Sequence, residues 1–533
     1  MADFTDFRKK DFLEQITLLR QAEAEKDVSA IPVLFELHAS PLGDQSVDLA
    51  VINVLQSLLV HGEAQTVAGL AATSPALRRL CLRTVGRYGF ASALPVLMDM
   101  AARAAHDPDD LQEVLSALSR LRAPESLPLF RAHLDHPDPF ISALCAEMLG
   151  LLGDARSLPR LAALVDAAEV ISGDDCPITV FKAVEALAAI GGKTALTYLA
   201  KKMHHHNPTA RRAIHEALVH AGKAAIPFVA ERFHGGDLDE RLLSANILGF
   251  IGHKSGADTL VAAQDRHPID HPNLRFAVYE ALGRAPSLKG LVFLLDGLSE
   301  TDPVLLLAVI TALEANANPG VVRTIAEMLE AGGPQAGRIA RAMAEATATD
   351  LFVAVGQTPD LVGLIIDEVA RCGDPDILEA FARVLSAQGT EEAAAHAARL
   401  RARRAGAAPD AARRRVLAVD DSKAMLAFYK SVLPGLGFST VTAENGQDAW
   451  DILDGSDCFD LIVADMNMPV MDGIELTRLV RGDMAHADTP ILMATTESAG
   501  EQVELAQRAG VTGFLKKPFT VEALRSELSR ILP

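Results

Sequence analysis

Cysteine is scarce. Cys81, Cys145, Cys176, Cys372 and Cys458 are scattered through 533 residues and no two form a C-x-x-C pair. That excludes a disulfide scaffold and a cysteine zinc site, and makes a reducing cytoplasm the expected compartment. Aromatic residues are few, 5% of the chain, with Trp450 the single tryptophan, so rings for stacking bases are lacking. Positive charge is in deficit, 50 basic residues against 70 acidic ones and a net charge of −20. Such a surface repels phosphate backbones, and no nucleic-acid partner is expected. Long apolar runs are missing too. The longest, residues 303–313 between Asp302 and Glu314, is too short to span a bilayer, so no membrane insertion is expected. Residues 1–10 show no apolar core before a cleavage site, and no secretory signal is read there. What is present, 49% apolar and 23% charged residues, is ordinary globular composition and excludes wholesale disorder.

A composition break at residues 399–415 holds seven arginines, 399, 401, 403, 404, 413, 414 and 415, around small residues with Gly406 and Pro409. It reads as a helix end, a short linker and the start of a new domain. The part from Val416 onward carries −9 and the part before it −11. The arginines therefore bridge two acidic bodies, either as a solvated helix end or as a clasp onto one of them.

The larger part repeats. A small or apolar residue, an apolar one, often Pro, and two mostly apolar positions recur from Ala30, Ala93, Ser126, Ser157, Ala195 and Ala225, with weaker copies from Ala257, Gly290, Val321 and Ile377. The spacing is close to 31 to 32 residues, with degenerate copies near Ala64 and Asp350, and a fixed period in this range marks a stacked helical solenoid. In residues 124–153, Pro128 falls in the first turn of one helix, Leu127, Phe130 and Leu134 give it an apolar stripe, and residues 136–139 break it. Residues 140–152 form a second helix, ended by Gly153. These units resemble HEAT repeats of the short bacterial, PBS-lyase HEAT-like type, over roughly residues 28–400. The resemblance implies a mainly α architecture and is nearly silent on function.

No nucleophile–base pair, phosphate loop or carboxylate constellation stands out in the repeats. His204-His205-His206 follows a helix and precedes Asn207-Pro208, and reads as an exposed turn. His267 and His271 flank Pro268 in a loop and read the same way, and Cys145 reads as packing. Residues 168–177 form a longer inter-helix stretch, read as a tolerated insertion.

The chemistry gathers in the last part. Five strands, at residues 416–419, 439–443, 461–464, 490–495 and 513–515, alternate with five helices, a pattern that makes a parallel sheet covered on both faces. In such sheets the reactive crevice lies at the carboxyl ends of the strands. Asp420, Asp421, Asp465 and Thr495 all sit at strand ends, and Lys517 lies two residues past the fifth. Three carboxylates there repel one another, and a hard divalent cation such as magnesium relieves this. Asp465 is then a nucleophile toward a phosphoryl group, with Lys517 neutralising its oxygens and the Thr495 hydroxyl bonding one of them.

Val419-Asp420-Asp421-Ser422, the Asp465-Met466-Asn467-Met468-Pro469-Val470-Met471-Asp472-Gly473 segment, Met493-Ala494-Thr495 and Lys517-Pro518-Phe519 resemble, in order and spacing, the receiver domain of bacterial response regulators over residues 415–533. The resemblance implies a flavodoxin-like fold with strand order 2-1-3-4-5 and Asp465 as phospho-acceptor from a histidine kinase. It implies magnesium on Asp420, Asp421, Asp465 and the backbone carbonyl of Asn467, a switch pair of Thr495 and Phe514, Lys517 as the phosphate-pairing cation, and a cis bond before Pro518. Thr496 departs from the pattern, which usually has a small residue after the switch threonine, and could crowd the phosphoryl site.

The expected organisation is an N-terminal helical cap over residues 1–27, a HEAT-like solenoid over 28–404, a linker over 405–413 and a receiver over 414–533. The expected function is that of a cytoplasmic response regulator, a phospho-acceptor rather than an enzyme, signalling through protein contacts of its solenoid with an unknown partner. No separate output domain is expected. The alternatives are a bilin-lyase-like solenoid regulated by the receiver, and a phosphate sink. The short linker places the final repeat, residues 377–400, as the surface nearest the receiver.

Overall fold

The structure, a computed structural model, describes residues 3–103, 108–168, 177–264, 267–356, 359–405, 414–455, 459–495 and 500–532. Cys176, Cys458, Thr496, residues 169–176 of the long inter-helix stretch and linker residues 406–413 lie outside the described residues. The chain forms two compact units, Met1–Leu199 and Ala200–Pro533.

The first unit is built of helix pairs. Leu127–Ala132 carries Pro128 in its first turn and buries Phe130, and Pro139–Leu151 follows. The second helix starts where Asp138 accepts from Phe140 N at 2.8 Å, with Pro139 at the position whose missing N–H costs no bond. The same punctuation returns along the chain as Ser74-Pro75, Asn207-Pro208, Asp302-Pro303 and Asp374-Pro375, each polar side chain capping its helix. The degenerate copies are the seven-residue helices Glu63–Gly69 and Thr349–Val355.

Second helices of successive pairs pack on one another, and a glycine lets the backbones close. A Cβ on Gly150 would lie 2.6 Å from Ala186 Cα, and one on Gly249 would lie 2.7 Å from Ala281 Cα in the second unit. Pro303–Glu314 in that unit is apolar all round: Leu305, Leu306, Leu307, Ala308, Val309 and Ile310 are consecutive and buried. Six consecutive residues cover every face of a helix. Pro272–Arg284 and Gly333–Glu345 flank it, and the receiver helix Lys423–Val432 also packs against it.

The receiver lies in the second unit. Strands β1 (Arg414–Val419), β2 (Phe438–Ala443), β3 (Leu461–Asp465), β4 (Ile491–Thr495) and β5 (Gly513–Lys516) are parallel in the order 2-1-3-4-5. All five residues of β3 and of β4 are buried, as a sheet covered on both faces requires. The pairings Val419–Ala464 and Asp465–Ala494 bring the ends of β1, β3 and β4 side by side. Helices Lys423–Val432, Gly446–Asp454, Gly473–Gly482, Gly500–Ala509 and Val521–Ile531 connect and cover the strands. Among the described residues no helix is long and apolar enough to cross a membrane.

Candidate functional site at the strand ends of the receiver

Asp420 follows β1 and is fully buried, its Oδ1 accepting from Ser422 N at 3.0 Å. Asp465 ends β3, is 8% exposed, and accepts from Asn467 N through Oδ2 at 3.1 Å. The chain turns directly beneath it. Gly473 N donates to Met466 O at 3.1 Å, and any Cβ on Gly473 would collide with the Asp465 carbonyl, so only glycine fits there. Lys517 follows β5. Its main-chain N–H donates to Thr495 O at 2.8 Å, and a cis bond joins it to Pro518.

Lys517 Nζ stands 2.7 Å from Asp420 Oδ2 and 2.6 Å from Asp465 Oδ1. Burial works against the ammonium, but Asp420 and Asp465 outweigh it and hold the lysine well above its usual range. Burial lifts Asp420 to about 7, with Lys517 opposing and Asp465 adding to the rise. Asp421 is also lifted well above the carboxylate range, by burial first and then by Asp420 and Asp465. Three carboxylates at one mouth are a set that calls for positive charge. Thr495 is buried with its hydroxyl 3.7 Å from Met466 Sδ, and Phe514 is half-buried against the cluster of Met466, Ile474, Met493 and Ala506. The structure thus gathers Asp420, Asp465 and Lys517 into one bonded group.

The oxygen donors suit magnesium in kind. Their arrangement is another matter: among the described residues no three His, Cys, Asp or Glu side chains are disposed to hold a metal. Asp420 and Asp465 close on Lys517 instead, and Asp421 faces an arginine from the repeats.

That arginine belongs to a contact that the linker length does not foretell. The receiver mouth meets helices between residues 208 and 345, well before the final repeat. Arg211 Nη2 donates to Asn467 Oδ1 at 3.2 Å and to Gln502 Oε1 at 2.7 Å, and Arg212 pairs with Glu475. Asn273 Nδ2 donates to Lys517 O at 2.8 Å, and Arg284 Nη2 to Asp421 O at 3.1 Å. A cavity of about 830 Å³ lies within this contact, lined by Asp421, Asp465 and Asn467 from the receiver and by Arg211, Phe276 and Glu280 from the repeats.

The histidine turn is corrected here. His205 is buried, 1% exposed, its Nδ1 accepting from Asn207 N at 3.1 Å, and the His206 carbonyl accepts from Gln502 Nε2 at 3.2 Å. A bond to this turn from a helix almost 300 residues further on cannot be seen in local sequence. His271 is exposed as expected and caps Pro272–Arg284. Of the arginines of the composition break, Arg399 pairs with Asp367 at 2.8 Å and Arg404 with Glu379 at 3.0 Å within the repeats, whereas Arg415 lies over the Phe459 ring in the receiver.

A family model for the response regulator receiver domain matches residues 416–529, and one for HEAT repeats matches residues 101–172. Through its C-terminal domain the chain belongs to the response regulator receiver family, the phosphoryl-accepting modules of two-component signalling. The chemotaxis protein CheY homolog of Campylobacter jejuni is 40% identical over 119 residues, 22% of this chain and 92% of that protein. Chemotaxis protein CheY1 of Helicobacter pylori is 39% identical over 119 residues, 22% of this chain and 96% of that protein. The receiver domain of the sensor histidine kinase PA1611 from Pseudomonas aeruginosa, solved with magnesium coordinated in its active site cleft, is 27% identical. That match covers 22% of this chain and 98% of that one, with a TM-score of 0.22.

Proposed function

We propose that this chain is a response regulator of 414–533 receiver and 28–404 repeat organisation, whose Asp465 accepts a phosphoryl group from a histidine kinase and whose repeats carry the output by protein contact. The observation that carries the reading is the group formed by Asp465, Asp420 and Lys517, with Lys517 Nζ 2.6 Å from the Asp465 carboxylate at the end of β3.

An Asp465 oxygen attacks phosphorus, a P–O bond forms, the P–N bond of the donor's phosphohistidine breaks, and the imidazole leaves with the electron pair. Lys517 neutralises charge on the transferring oxygens, and the Thr495 hydroxyl donates to one of them. Phe514, packed beside Met466 and Met493, moves as Thr495 turns. Asp420, Asp421, Asp465 and the Asn467 carbonyl would hold magnesium, which would supply further charge neutralisation there. Asp421 and Asn467 are the two of these residues that the repeats also contact. Hydrolysis of the acyl phosphate at the same site resets the protein, which otherwise catalyses nothing.

The test is labelling of the full chain by a phosphodonor in the presence of magnesium. Wild-type protein incorporates one acid-stable, base-labile phosphoryl group, and Asp465→Ala incorporates none. Labelling of Asp465→Ala at the wild-type level would assign the acceptor elsewhere.

A further inference from the structure

The repeats present three arginines, Arg211, Arg212 and Arg284, to a receiver that carries −9, although the rest of the chain is acidic as well. Two of the three touch the elements that hold the receiver's oxygen donors. Arg211, 8% exposed, fixes the side chain of Asn467 and bonds Gln502 on the Gly500–Ala509 helix. Arg284 is positioned from the repeat side, its guanidinium 4.2 Å from the centre of the Phe250 ring, a cation–π distance. From there it bonds the Asp421 carbonyl and stands 3.9 Å from Asp421 Oδ2. Glu280 lines the same cavity and adds to the negative charge around Asp421, so Arg284 is the positive partner of a locally acidic pocket.

We propose that the repeat face bearing Arg211, Arg212, Asn273 and Arg284 is a docking surface for the mouth of this chain's own receiver, with Arg284 standing in for a cation at Asp421, so that docking and divalent-cation binding at the aspartates oppose each other. The inference rests on reading those aspartates as a metal and phosphoryl site. A guanidinium within 4 Å of a carboxylate and a divalent cation on the same carboxylate repel across a partly dry cavity, where charge interactions exceed their strength in water. Reciprocity follows from linkage: whatever factor docking takes from cation affinity, the cation takes from docking. The docked form is then the low-metal form, and loading the aspartates prepares the receiver to leave the repeats and meet a phosphodonor.

The experiment titrates magnesium calorimetrically into the full chain, wild type, Arg284→Gln, Arg212→Gln and Asp421→Asn. Arg212 pairs with Glu475 and with none of the three aspartates, so its change weakens docking without removing the charge at Asp421. Both arginine variants are expected to bind magnesium about five-fold or more tightly than wild type. Hydrogen exchange in Pro208–Ala221 and Pro272–Arg284 is expected to quicken when magnesium is added. Equal affinity in wild type and both arginine variants, with Asp421→Asn weakened, overturns the opposition and leaves the site reading standing. Tighter binding in Arg284→Gln alone also overturns it, because Arg284 is then only a nearby charge. Absence of binding in all four chains overturns the inference together with the site reading.

Discussion

Lys517 holds Asp465 at 2.6 Å and Asp420 at 2.7 Å, one largely buried ammonium between a carboxylate that ends β3 and one that follows β1. Removing one partner of a buried ion group leaves the others uncompensated, at a cost of about 3–5 kcal/mol. Lys517→Met is expected to destabilise the receiver by that order at pH 8. The folded Asp420 already binds its proton more tightly than an unfolded aspartate, a shift that favours the fold at low pH and is lost as pH rises through about 7. Without Lys517 the carboxyl rises further, so the deficit shrinks at pH 5. Denaturant melts of wild type and variant at the two pH values check this. An equal deficit at both counts against it.

Acid should weaken the second unit through His215. Burial, with Arg211 beside it, lowers this imidazole from 6.5 to about 4, while its Nε2 lies 3.1 Å from Met203 O. The unfolded chain takes the proton first, so stability falls as pH drops from about 6.5 to 4, by on the order of 3 kcal/mol in total. His204 and Arg211, the other groups against the ring, add positive charge and push in the same direction. The slope of stability against pH in this window should be shallower in His215→Gln.

Two glycines on repeat helices should respond oppositely to the same change. Gly249→Ala places a methyl 2.7 Å from Ala281 Cα and should cost about 1–3 kcal/mol as the helices are forced apart. Gly337→Ala, in the Gly333–Glu345 helix with nothing within 4 Å, should stabilise by about 0.5–1 kcal/mol. Thermal melts read both, and a loss at each site would mean that the close approach at Gly249 is not the cause.

Docking should depend on charge order across the contact. Arg212→Glu and Glu475→Arg each set like charges together at the Arg212–Glu475 pair and should speed amide exchange in Gly473–Gly482. The double variant restores an opposite pair and should recover much of the protection, the coupling that a double-mutant cycle measures. Additive effects without recovery would remove this pair from the contact.

Local sequence shows the elements well and their long-range company poorly. The polar-residue-and-proline starts, the 31 to 32 residue period and the strand-end acids are all short-range signals, and Asp420, Asp465 and Lys517 meet as their strand positions require. The burial of His205 was not legible, because a turn between two helices shows nothing of its tertiary surroundings, and the Gln502 bond to the neighbouring His206 carbonyl comes from far along the chain. Two signals for the rest were present. Leu149-Gly150, Leu248-Gly249 and Leu282-Gly283 recur in second helices and mark the close approach of backbones. Residues 303–313 lack any polar face, and a repeat helix with no face for water must have something on every side. Read that way, the run points to a second layer over that repeat, which the receiver helix Lys423–Val432 supplies. Arg211, Arg212, Asn273 and Arg284 carried no such mark, since polar residues on a repeat helix ordinarily face solvent.

A row of repeats in contact only with its neighbours melts like a zipper, from whichever end or weak tooth opens first. In the second unit the receiver grips that row at Arg211, Asn273 and Arg284 and packs on Pro303–Glu314 and Gly333–Glu345, teeth that belong to several neighbouring repeats of the zipper. A clip across several teeth turns local fraying into an all-or-none event, because no gripped repeat can open without tearing the clip. On the docking proposed above, release of the receiver would therefore offer not only an uncovered surface but a change in elasticity: the same helices, less tightly coupled and freer to bend.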